Sequence, residues 1–180
     1  MMIIVSQIQT TAPEKYQTEL QKTVYETLAM LQIPWSRVET DEIITMEDCA
    51  AVNERLDMKM VKTLFLCNRQ QTDFYLFVTC GHKPFSSKNF SAAQNISRVS
   101  FAPADQMEKL LGTKIGAATI FSALRDTARE VSFVLDRDIL SEPFYGCSDG
   151  TTTGYLKIPT EELLRKFLPY TQHKFQIIEV

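Results

Sequence analysis

The sequence is poor in cysteine, histidine and glycine, and it carries no large excess of either charge. Its 180 residues include four cysteines, two histidines and six glycines, and the formal net charge is −3. The cysteines, at positions 49, 67, 80 and 147, form no CxxC pair, and the histidines are far apart. We therefore expect free thiols, no metal site and no cofactor. The small net charge argues against an extended duplex-binding face, although a local basic patch is enough to hold one nucleic-acid end.

Long hydrophobic runs are also missing. The longest uncharged runs, residues 1–13 and 115–124, are too short to span a bilayer. The N-terminus has no basic region and soon turns polar, so no signal peptide is predicted. We therefore expect a cytoplasmic protein that has no membrane partner. The residues predict no particular oligomeric state.

Three common catalytic signatures are absent as well. The chain contains no Gly-x-Ser-x-Gly elbow, no P-loop and no GxGxxG fingerprint. These absences argue against a nucleophile-elbow hydrolase, a P-loop nucleotide site and a dinucleotide-binding site of the usual kinds.

The apolar residues that are present predict a mixture of helices and strands. An amphipathic helix is indicated over residues 16–31, and a β-hairpin over 60–67 and 73–79, where two dense apolar runs flank a short polar segment. A helix over 160–168 closes the series. Because helices and strands follow no regular alternation, we predict an α+β fold, with a mixed, twisted β-sheet flanked by helices. The whole chain, 1–180, is of a size expected for a single domain.

Two features suggest a ligand pocket. A loop of small residues runs from Gly112 to Phe121, and glycine and alanine allow a ligand to approach the backbone closely. Lys62 lies within an apolar run, where its charge must reach water or meet an anion. Each feature also has a simpler interpretation. Lys62 is a typical edge-strand lysine, and Gly112 is a typical residue just past a helix end.

The remaining candidate residues favour structural roles. Five phenylalanines, at positions 65, 74, 77, 101 and 121, are expected in the core rather than on a base-stacking surface, because aromatic residues dominate protein cores. Cys147 lies in a turn with no histidine nearby in sequence. We interpret it as a partly exposed thiol rather than a nucleophile.

Several segments, taken in order, resemble one known family. The chain is similar to free-standing prolyl-tRNA editing proteins of the YbaK/ProX family, and to the related prolyl-tRNA-synthetase-associated domain. The resemblance is strongest over residues 16–168. The matching segments are 33–39, 45–50, 62–66, the loop with Gly112, Gly116, Thr119 and Phe121, residues 134–136 with Gly146, and 160–164.

The resemblance implies trans-editing, in which the ester that joins a wrong amino acid to a tRNA acceptor end is hydrolysed. It implies alanine or cysteine as the amino acid, with Ala-tRNA(Pro) as one candidate substrate, and neither a metal nor a protein nucleophile. The tRNA acceptor end is the partner that it implies. By the same resemblance, the catalytic residues are Lys62 and Gly116, and the substrate-binding residues are Thr63, Ala117, Thr119, Gly146 and Ser148. Main-chain N–H groups of such a loop are suited to stabilise the oxyanion that develops during ester hydrolysis.

The sequence departs from the family pattern around this site. Ile115 and Ile120 replace two loop prolines, Thr63 replaces an asparagine, and Ser148 stands where a histidine is usual. Two functions therefore remain open: an aminoacyl-tRNA deacylase, or a catalytically degenerate protein that binds a small amino acid or aminoacyl group. A plain structural or partner-binding domain is a third interpretation. For the first, we expect the Lys62 ammonium to point into a pocket that faces the Gly116 loop.

Overall fold

The computed structural model describes residues 2–125 and 129–180. Within them, eight strands form two sheets. The antiparallel three-stranded sheet contains, in spatial order, β1 (Ser36–Glu39), β7 (Gly154–Pro159) and β6 (Phe144–Ser148). The mixed five-stranded sheet contains, in spatial order, β4 (Ser100–Phe101), β2 (Val61–Cys67), β3 (Phe74–Cys80), β5 (Val131–Asp136) and β8 (Phe175–Ile178).

Helices pack around these sheets. In chain order they are α1 (Glu19–Met30), α2 (Ala50–Leu56), α3 (Ser87–Gln94), α4 (Ala104–Leu111), α5 (Thr160–Glu162) and α6 (Leu168–Thr171), the last two joined by a π-helical turn, Leu163–Phe167. The Thr18 hydroxyl caps α1 by accepting the Gln21 N–H at 3.0 Å. Pro34 lies a few residues beyond the end of α1. The residue before a proline is pushed out of the helical region, so α1 cannot continue to this point.

The predicted fold class is confirmed, with one change in the sheet. The hairpin is present as β2 and β3, and the flanking helices occur where the periodicity indicates them. The expected single sheet is divided in two, because β1 pairs with β7, more than a hundred residues later, rather than with the hairpin. A parallel bridge between Met60 and Gly146 joins the two sheets.

Strand β2 has apolar cover on both faces. Leu64 and Leu66 pack on the face that carries α3, in a cluster with Phe77 and Phe90. Phe65 and Cys67 pack on the opposite face, against Leu110 and Leu111 of α4. This two-sided burial explains why β2 is apolar almost throughout and lacks the simple alternation of a half-exposed strand.

Candidate active site

A cavity of about 350 Å³ lies along one edge of β2. Residues 61–65 of the strand form its floor, and the segment 43–46 and the loop around Gly116 form its walls. Met107 of α4 and the end of β6 complete the enclosure. The position follows from the short neighbouring strand, since β4 pairs with β2 only at Leu66 and Cys67.

The edge of β2 is open where it borders this cavity. The Phe65 carbonyl accepts the Ala102 N–H at 2.9 Å, so the main-chain groups of Phe65 point away from β3. Because these groups alternate in direction along a strand, the N–H and C=O of Thr63 point the same way, into the cavity. Among the described residues, no strand pairs with this side of Thr63. Nor does its hydroxyl have a hydrogen-bond partner there, so Thr63 offers two donors to a ligand.

Lys62 lines the cavity, but its ammonium group lies on the other face of β2. The residue shares the face of Leu64 and Leu66, and its Nζ donates a 2.5 Å hydrogen bond to the Lys83 carbonyl in the loop before α3. The Gly116 loop borders the opposite face, where Ala118 packs. The prediction that the ammonium faces the Gly116 loop is therefore wrong in this structure. Both groups line one cavity only because that cavity extends across the open strand edge.

Gly116 lines the cavity and has a φ of +89°, a conformation that favours glycine. A Cβ at this position would lie 3.1 Å from the Ile44 Cα and 3.3 Å from the Ile43 oxygen. The small residue is therefore required by the turn and by contact with the cavity wall. The glycine does not serve to leave open space for a substrate.

The neighbouring residues Ala117 and Thr119 lie outside the cavity. The Ala117 N–H already donates to the Lys114 carbonyl at 3.0 Å, and Ala117 borders a different depression beside Gly112. The predicted grip of the Ala117 N–H on substrate is therefore not available. Thr119 is fully buried, and its hydroxyl donates to the Ser148 carbonyl at 2.9 Å. It ties the small-residue loop to β6 instead of contacting a ligand.

Ser148 and Gly146 also have structural contacts in place of the predicted substrate contacts. Ser148 lines the cavity, but its hydroxyl donates to the Thr151 carbonyl at 2.6 Å and accepts the Gly150 N–H at 3.0 Å. Gly146 is not among the lining residues. A Cβ there would lie 2.7 Å from the Met58 sulfur, so this glycine allows the segment before β2 to approach β6.

Two buried thiols complete the cavity lining. Cys147 is 2% exposed, which corrects the prediction of a partly exposed thiol, and burial raises its pKa well above the ordinary range. Burial, with a smaller effect from Asp48, raises the pKa of Cys49 to about 11. Both thiols are therefore protonated near neutral pH. Since the thiolate is the nucleophilic form, this agrees with the interpretation of Cys147 as a non-nucleophile.

The described residues also show no candidate metal centre and no membrane span. In the described ranges, no three His, Cys, Asp or Glu side chains come together as a potential metal-binding group. No helix in the same ranges is both long enough and apolar enough to cross a membrane.

Residues 40–166 match the family described as the aminoacyl-tRNA editing domain. This chain belongs to that family. The match confirms the predicted family and, with it, the prediction of an aminoacyl-tRNA editing hydrolase. It covers every residue of the cavity described above, including the open edge of β2, which the matched segments of the sequence did not reveal.

Relatives of the editing-domain chain agree with this assignment. Prolyl-tRNA editing protein ProX of Acetoanaerobium sticklandii is 24% identical over 163 residues, which cover 90% of this chain and 98% of the relative. Prolyl-tRNA synthetase associated domain-containing protein 1 of Danio rerio is 27% identical over 157 residues, covering 86% of this chain and 84% of the relative.

Two solved structures share the fold of this editing domain. The hypothetical protein APE2540 superposes with a TM-score of 0.66 at 20% identity, covering 86% of this chain and 97% of that one. A candidate trans-editing enzyme for prolyl tRNA synthetase superposes with a TM-score of 0.61 at 16% identity, covering 92% and 99%. At these identities the likeness supports the fold.

Proposed function

We propose that this protein hydrolyses the aminoacyl ester of mischarged tRNA in trans, with Ala-tRNA(Pro) as its substrate. The observation that carries the proposal is the open edge of β2 at Thr63, which supplies unpaired donors inside an apolar cavity. The names of the prolyl-tRNA editing relatives support the choice of tRNA. The tRNA acceptor end is the partner that the cavity would receive.

In the proposed reaction the ester carbonyl lies beside Thr63. A water molecule attacks the carbonyl carbon, and the N–H and hydroxyl of Thr63 stabilise the negative charge that develops on the carbonyl oxygen. The bond to the ribose oxygen then breaks, and that oxygen takes up a proton, which leaves a free amino acid and an intact tRNA. The buried, protonated thiols of Cys49 and Cys147 take no part.

We assign the other predicted residues from their positions around this edge. Gly116 shapes the wall against Ile43 and Ile44 and is needed for that geometry. Lys62, across the edge, holds the nucleotide end of the substrate by its charge. Ser148 borders the cavity, and Thr119 holds it in place through its carbonyl. Gly146 and Ala117 act through packing.

The cavity lining favours a small, neutral amino acid. Of the described residues that line it, Lys62 alone is charged, and its ammonium is on the nucleotide side. A charged amino-acid side chain would therefore be buried without a partner, which is strongly unfavourable. The large side chains of Met46, Met60 and Tyr155 also form part of the lining. Alanine satisfies both conditions.

A second candidate function, a binding protein that no longer turns over its ligand, is favoured by one specific observation. Two groups that the family resemblance assigns to the substrate already have protein partners: the Ala117 N–H and the Ser148 hydroxyl. A protein that has lost these donors could keep the cavity and lose the reaction.

Deacylation of radiolabelled aminoacyl-tRNAs separates the two candidates. The wild-type protein should release alanine from Ala-tRNA(Pro) faster than proline from Pro-tRNA(Pro). Thr63→Val should lower kcat roughly tenfold, because it removes one hydrogen bond to the developing charge. Lys62→Ala should raise KM. Lys59→Ala is the matched control, since Lys59 is 71% exposed and pairs with Glu142 outside the cavity.

Binding without turnover would identify the second function. If the wild-type protein retains labelled Ala-tRNA(Pro) on a filter and releases no alanine, the proposed hydrolase activity is wrong. If Thr63→Val is as active as the wild type, hydrolysis does not use the Thr63 hydroxyl.

A further inference from the structure

One aromatic residue at this cavity is not where the sequence pattern places it. Four of the five phenylalanines expected in the core are buried, at positions 65, 74, 77 and 121. Phe101 is 63% exposed and lines the cavity mouth. An aromatic ring left largely in water gives up the burial that normally stabilises it. At the rim of a binding cavity, such a ring is available to a ligand.

Phe101 and Lys62 lie on the same side of the open strand edge. Phe101 is opposite Leu66 in the antiparallel register, and directly opposed residues project from the same face of a sheet. Leu66 and Lys62 share that face because they are four residues apart in one strand. The ring of Phe85, which also packs there, lies 5.7 Å from that of Phe101 at an angle of 56°.

Lys62 provides a positive charge on this face. Its ammonium donates one hydrogen bond, to the neutral Lys83 carbonyl. Within the described ranges, no carboxylate lies within 4.0 Å of the Lys62 ammonium. The carboxylates of Asp136 and Asp138 form salt bridges with Lys83 instead. Two donors of a half-buried cation thus remain for an anion from outside.

We propose that Phe101 is a stacking platform for the terminal nucleobase of the tRNA acceptor end, with Lys62 contacting a phosphate of the same end. The proposal rests on the function proposed above and identifies how the nucleic-acid part of that substrate is held. Single-stranded nucleic acid is commonly bound by exposed aromatic rings next to basic side chains. The substrate would then cross the edge of β2, with its base on the Phe101 side and its ester on the Thr63 side.

The other exposed apolar residues at the mouth do not compete for this role. Ile44 and Ile115 are 56% and 58% exposed, but both are branched aliphatic side chains without a flat ring. They belong to the walls on the Gly116 side. Phe101 therefore combines three properties at this cavity: a planar surface, high exposure and a position on the sheet face that carries the Lys62 ammonium.

Calorimetric binding of a non-hydrolysable analogue tests the platform without relying on catalysis. The probe is 3′-deoxy-3′-(L-alanylamino)adenosine, whose amide replaces the labile ester. Phe101→Ala should raise its Kd by about 5- to 150-fold, equivalent to the ~1–3 kcal/mol of one stacked base. Phe101→Trp should restore binding. Tyr170→Ala, which removes an exposed aromatic ring outside the cavity, should bind like the wild type.

A second probe isolates the base. The same alanylamide on a ribose without a base should bind the wild type and Phe101→Ala equally. Thermal unfolding confirms that each variant is folded, and Phe101→Ala should change Tm little because the ring is mostly exposed. Failure of the wild-type protein to bind the adenosine analogue at millimolar concentration would overturn the proposal. So would equal binding by Phe101→Ala, or equal weakening with the base-free probe.

The outcomes also separate this proposal from the proposed activity. If the analogue binds in a Phe101-dependent way while Ala-tRNA(Pro) stays intact, the hydrolase is wrong and the nucleobase platform stands. If the wild type and Phe101→Ala hydrolyse Ala-tRNA(Pro) with the same KM and bind the analogue equally, the platform is wrong and the hydrolase stands.

Discussion

Replacing Gly116 by alanine tests whether the small-residue loop acts by shaping the cavity wall. An alanine at φ +89° is strained by ~1–2 kcal/mol. Its Cβ would also lie 3.1 Å from the Ile44 Cα and 3.3 Å from the Ile43 oxygen, which are backbone atoms that yield only if the wall moves. Overpacking of this kind costs about 1–3 kcal/mol. We therefore expect a total loss of stability of about 2–5 kcal/mol from these two terms.

Gly112→Ala is the matched control, because Gly112 also has a positive φ, of +72°, at the end of α4. There the added Cβ meets the end of the Arg125 side chain, which can move away. This variant should therefore lose only the strain energy, ~1–2 kcal/mol. It should keep its activity, because Gly112 lies outside the cavity beside β2.

The assay measures stability and activity on the same samples. Urea unfolding gives the two free energies, and deacylation of Ala-tRNA(Pro) is followed at a temperature where both variants are fully folded. Gly116→Ala should lose kcat by more than tenfold, since a displaced wall repositions the ester against Thr63. The reasoning is refuted if the two variants lose equal stability and equal activity. It is also refuted if Gly116→Ala stays fully active.

Two further predictions concern ionisable groups. Cys147→Ser should keep most of the deacylation rate, because burial holds the Cys147 thiol protonated; loss of turnover in a folded variant would indicate covalent catalysis instead. Burial opposes the charge of Asp136, but hydrogen bonds from Lys83 and Thr79 outweigh it and lower the pKa of this carboxyl. Its contribution to stability is therefore present above the ordinary pKa of about 4 and lost as the pH falls through the lowered value. Asp136→Asn should weaken the acid dependence of the unfolding free energy, and parallel curves for the two proteins would contradict this.

Local patterns were sufficient to predict the hairpin. Its two strands are dense apolar runs, and the polar connection closes on itself because the Asn68 side chain accepts the N–H groups of Thr72 and Asp73. The division into two sheets was not predictable in this way. It depends on β1 pairing with β7, and pairing between distant segments leaves no trace in the local periodicity of either one.

The orientation of Lys62 shows where prediction of the site failed. Two-residue alternation does place Lys62 on the same face as Leu64 and Leu66. With apolar residues on both faces, the sequence does not indicate which face carries the Gly116 loop. The role expected of Ala117 failed for a related reason, because its N–H is used in a turn with Lys114. A motif match identifies residue types and spacing, whereas hydrogen bonds within the loop decide which donors remain.

The open edge itself has a cause in the sequence. Antiparallel pairing of β4 with β2 would next bring Pro103 opposite Leu64 and Ala104 opposite Thr63. Pro103 lies at φ −64° immediately before α4, so the chain turns away into the helix there and Ala104 does not reach Thr63. An exposed edge normally invites aggregation, and a lysine on it discourages that. Lys62 as a typical edge-strand lysine and Lys62 as a substrate contact are therefore compatible interpretations. The turn that ends β4 after Phe101 leaves Thr63 unpaired, and it leaves an exposed aromatic ring on the sheet face that carries Lys62.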